Sequence, residues 1–429
     1  MADLRHLRGF CRGSTVRARV ADRSLSSTPL SRHPAFVCYW AARAATSFGY
    51  QMQAVAVAYQ VYELTGRPFD LGLVGLAQFL PAFLLALAAG QVADRFDRRR
   101  VVGVCQGVQC LALLALAGMG LGAAVGLPAI FTVIVGVGAA RAFEAPTMQA
   151  LLPALVPPAL LPRAVAASAS ANQTATVLGP AAGGVLYGIA GPYAVFAGAA
   201  TLFLAAALAM LTIRVAPRTV AREPVSLRSV FAGVAFIWRR PIVLGAISLD
   251  LFAVLLGGAT ALLPVYARDI LQVGPSGLGA LRSAPAVGAL VMSVVLARRL
   301  PQQRIGCVMF AGVALYGIAT IVFALSAWFA LSLLALALLG AGDMVSVVIR
   351  SSLIQLSTPD EMRGRVSAVN SVFIGTSNQL GDFRAGMMAA WLGAVPAVLL
   401  GGVGTLVVVL AWMRMFPALL RIDRLGAGR

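Results

Sequence analysis

The stretch that decides the fold is a short, highly charged segment between two long apolar runs, Gly90-Gln-Val-Ala-Asp94-Arg95-Phe-Asp97-Arg98-Arg99-Arg100. Apolar residues fill the chain on both sides of it, over 69–91 and 101–122. Each run can form a helix that crosses a bilayer, which needs about 20 residues. A short loop rich in arginine stays on the cytoplasmic side of such a pair of helices. The segment therefore predicts a membrane hairpin with a cytoplasmic turn.

The composition extends this prediction to the whole chain. Hydrophobic residues make up 60% of the 429 residues and charged residues only 11%, and the mean hydropathy is +0.88. These values indicate an integral membrane protein. The net charge of +19 would suggest nucleic acid in a soluble protein. Here the arginines punctuate apolar runs, so we expect membrane lipid as a partner and no nucleic acid.

The apolar runs predict an all-α membrane protein of twelve transmembrane helices in two six-helix bundles. The runs are 36–60, 69–91, 101–122, 127–155, 164–189, 192–213, 241–267, 276–297, 305–325, 328–356, 366–390 and 394–416. They divide the chain into a polar N-terminal tail at 1–34, an N-terminal bundle at 35–213, a basic cytoplasmic linker at 214–240, a C-terminal bundle at 241–417 and a cytoplasmic tail at 418–429. Within the linker, residues 225–240 are expected to form an amphipathic helix on the cytoplasmic face.

The arginines also predict the orientation. With both termini inside, the inner segments carry 27 arginines, the outer loops carry Arg67 and Arg268, and five more lie within helices. This bias indicates a multi-pass protein of the bacterial cytoplasmic (inner) membrane with both termini cytoplasmic. The arginine-rich start can be read as a targeting peptide, a disordered tail or a start codon placed too early.

Few residues of the chain suit catalysis or metal binding. His6 and His33 both lie in the N-terminal tail, and the five cysteines form no CxxC pair. No membrane segment therefore offers a histidine base, a nucleophile with its base, or a metal-ligand cluster. We expect no cofactor, no metal and no enzymatic activity.

Three motifs resemble those of the major facilitator superfamily. The loop after Gly90 has the form glycine, three residues, Asp-Arg and a basic cluster. Helix five carries Leu178-Gly179-Pro180-Ala-Ala-Gly183-Gly184, similar to the core of a motif of proton-driven exporters, although Ala166 and Ala175 replace two of its glycines. Residues 350–375 resemble the late part of the drug:proton antiporter branch that includes the enterobactin exporter. The resemblance covers about 36–416 and implies a secondary transporter of this superfamily.

The resemblance implies roles for two of these motifs. Asp94 would dock near the start of helix eleven, around Val366, and hold the outward-open state as a conformational latch. The other latch residues are Gly90, Arg95, Arg98 and Arg99, together with Arg100. Alternatively, the basic loop is only a topology signal. Gly179, Pro180, Gly183 and Gly184 would form a hinge in helix five, or they serve helix packing alone.

Ionisable groups inside a bilayer are costly and indicate function. The candidates for proton coupling are Asp250, Glu144, Arg141, Asp343 and Asp382. Asp250 is the first choice because it lies near the midplane with no basic residue within a turn of its own helix. The alternative is an ion pair between Asp250 and Arg43 or Arg282.

The other candidates also have structural alternatives. Glu144 and Arg141 are three residues apart on one helix face, so they can neutralise each other. Asp343 and Arg350 are two turns apart on one helix face, and the alternative for them is pairing across helices rather than with each other. Related exporters carry two acids where this chain has Gly381-Asp382-Phe383-Arg384, so one acid is replaced by a cation.

Polar side chains predict the substrate cavity between the bundles. The candidates are Gln51, Gln53, Asn172, Gln173, Asn378 and Gln379, although any of them can instead bond between helices. We expect a monomer that exports a small organic molecule, such as a drug, metabolite or siderophore, by proton antiport with alternating access. The alternatives are proton-coupled uptake of a metabolite and a non-transporting receptor or scaffold. The sequence names neither the substrate nor the coupling ion.

Overall fold

The computed structural model describes residues 29–119, 126–214, 234–299 and 303–423. Its regular structure is helical throughout these ranges. The long helices are Pro34–Thr65 (α1), Pro68–Arg95 (α2), Arg98–Met119 (α3), Leu127–Leu151 (α4), Leu161–Thr212 (α5 and α6), Pro241–Gly257 (α7), Gly274–Arg298 (α8), Ile305–Leu325 (α9), Phe329–Ser357 (α10), Asp360–Leu392 (α11) and Ala394–Met415 (α12).

The stretch Leu161–Thr212 is two helices rather than one. Gly191 lies inside it with φ 77° and ψ 178°, a conformation that only glycine adopts readily, and Pro192 follows. We therefore divide it into α5 (161–190) and α6 (192–212). The described residues thus contain twelve long helices, in agreement with the predicted all-α membrane fold.

Nine segments of the described chain are long and apolar enough to cross a membrane by length and composition. One of them, Pro158–Thr212, contains both α5 and α6. The helices α1 and α11 are not among the nine, and both carry several of the polar residues that we predicted for the cavity.

The helices pack as two groups. In the first half, α1 packs on the α5–α6 stretch, α2 on α4, and α3 on α4 and on the α5–α6 stretch. In the second half, α9 packs on α10 and α12, α8 on α10, and α7 on α11 and α12. The two halves meet through α2 with α11 and α5 with α8. The tails and the linker boundaries that the sequence predicts fall largely outside the described residues. Of the predicted amphipathic helix, residues 234–238 are described and are helical.

The two ends of the molecule differ in charge. We call the end that carries Arg95, the 98–100 arginines and Arg163 the basic face. The other end, which carries Arg67 and the loop at Asp269, is the opposite face.

Candidate functional site

A cavity of about 380 Å³ lies between the two halves at mid-height. The first half contributes α1 and α5, and the second half contributes α7 to α11. Its polar lining residues are Gln51, Gln173, Thr176, Thr260, Arg282, Tyr316, Asp343, Asn378 and Asp382. Five residues that the sequence predicted for coupling or for the substrate, Gln51, Gln173, Asn378, Asp343 and Asp382, therefore line one space. Cavities of this volume bind small organic ligands, since about 300–1,000 Å³ is typical of such sites.

One wall of the cavity is a break in α7. The helix ends at Gly257, and the chain continues through the short turns Thr260–Leu262, Leu263–Val265 and Tyr266–Ile270. A Cβ atom on Gly258 would lie 2.6 Å from the carbonyl oxygen of Gly381, so only glycine lets the break pack against α11. Irregular backbone at membrane depth is tolerated where it lines a cavity inside the protein.

Arg384 stabilises this break. Its Nε donates to the carbonyl oxygen of Leu255 at 2.9 Å, and a second guanidinium nitrogen donates to the carbonyl of Leu256. These carbonyls belong to the last turn of α7, where no following turn supplies a backbone N–H donor. The cation that replaces an acid of related exporters is thus bound to a helix end rather than to Asp382. The sequence did not predict this role, although the glycine pair Gly257-Gly258 within the seventh apolar run was a usable signal for a break in the helix.

The cavity holds two carboxyl groups without an arginine bound to either. Asp382 accepts from the hydroxyl of Thr260 at 3.2 Å. The ion pairs of the described residues include neither Asp343 nor Asp382. Arg282 lines the same cavity, and its guanidinium donates to the carbonyl oxygen of Ala54 at 3.4 Å. Two acids and one cation therefore face the space where a ligand would lie.

Asp250 lies elsewhere, inside the second half. It is 5% exposed and forms an ion pair with Arg350, which is 2% exposed. Arg350 is thus its partner, and the alternative pairing of Asp250 with Arg43 or Arg282 is wrong. The sequence missed the pair because the two residues are 100 positions apart on α7 and α10. The role of Asp250 in proton coupling stays a prediction.

Glu144 is buried in the first half, at 4% exposure. Its two carboxylate oxygens accept from the amide groups of Gln106 at 3.0 Å and Gln109 at 2.7 Å. Arg141 forms no ion pair with it among the described residues; instead its guanidinium carbon lies 3.5 Å from the centre of the Tyr50 ring. Direct neutralisation of Glu144 by Arg141 is therefore not the arrangement found.

The remaining predicted polar residues are dispersed. Glu144, Arg141 and Asn172 line a separate pocket of about 90 Å³, where Asn172 accepts from the hydroxyl of Ser47 at 3.0 Å. Gln53 is buried, and its Oε1 has no partner among the described residues. Gln379 lies against Gly75 of α2, at the contact between α2 and α11. None of Gln53, Asn172 and Gln379 lines the central cavity.

Comparison with known proteins decides the family. The sequence profile of the family described as "Transmembrane secretion effector" matches residues 25–423. The chain belongs to this family. The enterobactin exporter of Escherichia coli O1:K1 / APEC is 25% identical over 387 residues, which are 90% of this chain and 92% of that protein. The enterobactin exporter of Shigella boydii serotype 18 (strain CDC 3083-94 / BS512) has the same identity and coverage.

Solved structures show the same fold. A bacterial homologue of the iron transporter ferroportin, in an inward-facing state, has a TM-score of 0.67 and 18% identity, over 92% of this chain and 100% of the other. A bacterial homologue of the human lysosomal transporter Spinster, inward-facing and unoccupied, has a TM-score of 0.70 and 14% identity, over 92% and 97%. The chain is thus a multi-pass membrane transporter with the major facilitator fold, as the motifs indicated.

Helix five of this secretion effector is a packing element. A Cβ atom on Gly184 would lie 2.5 Å from the carbonyl oxygen of Pro275, and one on Gly183 would lie 2.9 Å from the backbone of Met52. Gly179 approaches Gln51 equally closely. The helix runs through Pro180 without a residue of non-helical φ and ψ before Gly191. The glycines therefore allow α5 to contact both α1 and α8, while the hinge stays a prediction.

The basic loop of the transporter joins helices of the first half. Arg98 donates to the carbonyls of Ala93 at 3.1 Å and Ala150 at 3.0 Å, and Arg99 donates to that of Ile213. Asp97 accepts from the backbone N–H of Arg99 at 3.0 Å and so caps the start of α3. Hydrogen bonding by the Arg99 side chain lowers the pKa of Asp97.

The latch itself lies partly outside the described residues. The side chain of Asp94 is not described, although its backbone lies in the last turn of α2. A Cβ atom on Gly90 would meet nothing within 4 Å, and Val366 is buried against Ile237 and Val243 of its own half. The docking of Asp94 near Val366 therefore stays a prediction for another conformation.

Several contacts between the halves lie at the opposite face and at mid-height. The hydroxyl of Tyr62 donates to Asp269, and Arg268 donates to the carbonyl of Tyr62 at 3.1 Å. Gly72 of α2 approaches the carbonyl oxygen of Phe383 of α11, which would lie 3.0 Å from an added Cβ atom. The cavity is thus closed toward the opposite face in this conformation.

Proposed function

We propose that this transporter exports a small organic molecule from the cytoplasm in exchange for protons. The observation that carries the proposal is the pair of carboxyl groups, Asp343 and Asp382, in a ligand-sized cavity without an arginine bound to either. A carboxylate that faces a ligand can hold either a proton or a polar or cationic group of the ligand. Competition between the two at one site links outward transport of the ligand to inward movement of the proton.

The geometry of the halves supports alternating access. Closure at the opposite face leaves the basic face as the side from which a ligand would enter in this conformation. Because arginine-rich loops stay in the cytoplasm, we place the basic face and both termini on the cytoplasmic side. A ligand would then bind from the cytoplasm and leave after the halves rock about the cavity.

The charges in the cavity favour one class of substrate. Two acids and Arg282 leave one net negative charge when both acids are ionised. A monovalent organic cation in the cavity neutralises that charge. When no ligand is bound, one proton on either acid neutralises it. The exchange of one monovalent cation for one proton is electroneutral. The relatives are exporters of enterobactin by their names, so a siderophore remains within the tested panel.

Transport into inverted membrane vesicles tests the proposal. The vesicle lumen is acidified, the exported compound is added outside, and proton release from the lumen is followed with a pH-sensitive dye. The panel contains lipophilic cations, macrolides and catecholate siderophores. We expect at least one compound to release protons with wild type, and much less release with Asp343→Asn and Asp382→Asn. Asp423→Asn, which removes an acid far from the cavity, is the matched control.

The outcomes separate the alternatives. Loss of activity in both cavity variants but not in Asp423→Asn supports antiport through this acid pair. Equal activity in wild type and the three variants means that neither cavity acid takes part in proton coupling. Asp250 and Glu144 then become the first candidates for that role. Export would be contradicted by two results together. The folded wild-type protein responds to no compound in inverted vesicles, and intact cells that contain it accumulate a metabolite from outside.

A further inference from the structure

A second cavity, of about 460 Å³, opens on the side of the C-terminal half and shares no lining residue with the central cavity. We call it the side groove. Segment 234–238 forms one edge, and α7, α11 and α12 form the rest. Its large lining side chains include Trp238, Leu244, Phe252, Phe373, Trp412 and Met415. Trp238 is 70% exposed and Met415 is 64% exposed, so the groove is open toward the surroundings of the helices.

The lining of the side groove is almost entirely apolar. Ser248 supplies its one hydroxyl, which accepts from the indole Nε1 of Trp412 at 2.9 Å and donates to the carbonyl of Leu244 at 2.6 Å. A polar molecule that entered would lose its bonds to water without replacement. The groove therefore suits a hydrocarbon chain.

Three arginines are adjacent in sequence to residues that line the side groove. Arg239 and Arg240 directly follow Trp238, and Arg414 directly precedes Met415; all three arginines are exposed. The guanidinium of Arg240 lies over the Phe236 ring at 5.6 Å. The ion pairs of the described residues include none of the three arginines. Asp250, the acid on the adjacent helix, is bound to Arg350 in the interior.

We propose that the side groove binds an anionic phospholipid of the membrane. An acyl chain lies against Trp238 and Trp412, and the phosphate lies beside Arg239, Arg240 and Arg414. Tryptophan at the level of the headgroups fits this placement, because an indole has an apolar body and a polar N–H. The ligand is a lipid with a negatively charged headgroup, since a zwitterionic headgroup cancels the attraction to three arginines.

The bound lipid has a structural consequence. Ile237 of the segment beside the groove packs in one buried cluster with Val243 of α7 and with Val366 and Val369 of α11. Phe373 of α11 lines the groove itself. A lipid in the groove therefore joins the end of the linker to the helix that carries Asp382. Binding of lipid in the side groove depends neither on the substrate nor on proton coupling.

Quenching of tryptophan fluorescence by brominated lipids tests the proposal. The full chain keeps Trp238 and Trp412, while Trp40, Trp328 and Trp391 are replaced by phenylalanine. It is reconstituted with increasing fractions of phosphatidylglycerol or phosphatidylcholine that carry the same brominated chains. The test variant combines Arg239→Gln, Arg240→Gln and Arg414→Gln. The control variant combines Arg298→Gln, Arg299→Gln and Arg304→Gln, which removes the same charge from the basic face outside the groove.

We expect the brominated phosphatidylglycerol to reach half-maximal quenching at a clearly lower fraction than the phosphatidylcholine. Each of Arg239, Arg240 and Arg414 contributes about fivefold to this preference, which corresponds to about 1 kcal/mol per basic residue near an anionic surface. The control variant keeps the preference and the test variant loses it. Equal quenching by both lipids in the unmutated background, or a preference that survives in the test variant, overturns the proposal. So does an absence of quenching by either lipid, which means that protein covers the groove.

Discussion

At the scale of single residues, Arg384 has a structural role although it lies close to the candidate site. It binds the carbonyl groups of Leu255 and Leu256 at the end of α7, next to two cavity acids. We expect Arg384→Gln to lower the free energy of unfolding by about 1–3 kcal/mol, since it leaves buried acceptors unsatisfied. Arg384→Lys should lose a similar amount of stability, because an ammonium group lacks the planar guanidinium geometry that reaches both carbonyls.

Thermal unfolding in detergent measures this effect. Arg298→Gln, an exposed arginine at the end of α8, is the control and should unfold as wild type does. An Arg384→Gln protein that is as stable as wild type but no longer exports would instead assign Arg384 to the substrate or the proton.

The buried pair of Asp250 and Arg350 gives a second prediction at this scale. Removal of one partner leaves an uncompensated buried charge, so Arg350→Met is expected to cost about 3–5 kcal/mol of stability. The double variant Asp250→Leu with Arg350→Met should recover most of that loss, because no charge remains buried. Chemical unfolding of the two variants checks the difference.

Transport by the double variant then decides the role of Asp250. Retained proton release shows that the pair serves stability alone. A stable double variant that binds substrate but releases no protons would make Asp250 the coupling acid that its midplane position suggests.

At the scale of helices, glycine spacing sets how closely α5 and α8 approach. An alanine at Gly184 would place its Cβ atom 2.5 Å from the carbonyl oxygen of Pro275, whereas one at Gly188 meets nothing within 4 Å. We expect Gly184→Ala to separate the halves at the opposite face and to lower transport several-fold. Gly188→Ala, one turn along the same helix, is the matched control.

Labelling of a single cysteine at the opposite face reports the separation. A cysteine that replaces Phe69 should react faster with a membrane-impermeant thiol reagent in the Gly184→Ala background than in the Gly188→Ala background. Equal rates in the two backgrounds would mean that the α5–α8 contact does not control closure.

At the scale of the whole molecule, transport requires the contacts of the opposite face to open. The rings of Phe69 on α2 and Phe383 on α11 lie 6.2 Å apart across the two halves. In a background without the five native cysteines, Phe69→Cys with Phe383→Cys should be joined by a short bifunctional thiol reagent. Because joined halves cannot rock, export should stop.

The bifunctional reagent is chosen so that it forms a disulfide bond with each cysteine. Cleavage of this cross-link by a reductant should restore transport in the same protein sample. The single-cysteine proteins, treated identically, keep their transport rate. Export that continues at the full rate while the two cysteines are joined would contradict alternating access at this face.

The sequence by itself determined the membrane fold. Twelve apolar runs specify the number of helices, because a bilayer satisfies no backbone hydrogen bond and each segment must form its own. The boundary of the seventh helix is an exception, since the run at 241–267 forms a helix only as far as Gly257. The sequence also predicted the break at Gly191 and Pro192, since the boundary between two apolar runs falls there. These features depend on neighbours along the chain and on the solvent, so they need no knowledge of tertiary contacts.

Only the tertiary structure decided which polar groups meet. Asp343 and Asp382 share a cavity although they lie on different helices, and Asp250 meets Arg350 rather than the arginines that we considered. Gln53 and Asn172 look equivalent to Gln51 and Gln173 in the sequence, but α1 and α5 turn them toward other spaces. The rotation of each helix about its axis follows from close packing of small residues over the whole bundle. A single apolar run with weak periodicity does not encode that rotation, which is why the fold was predictable and the site only partly so.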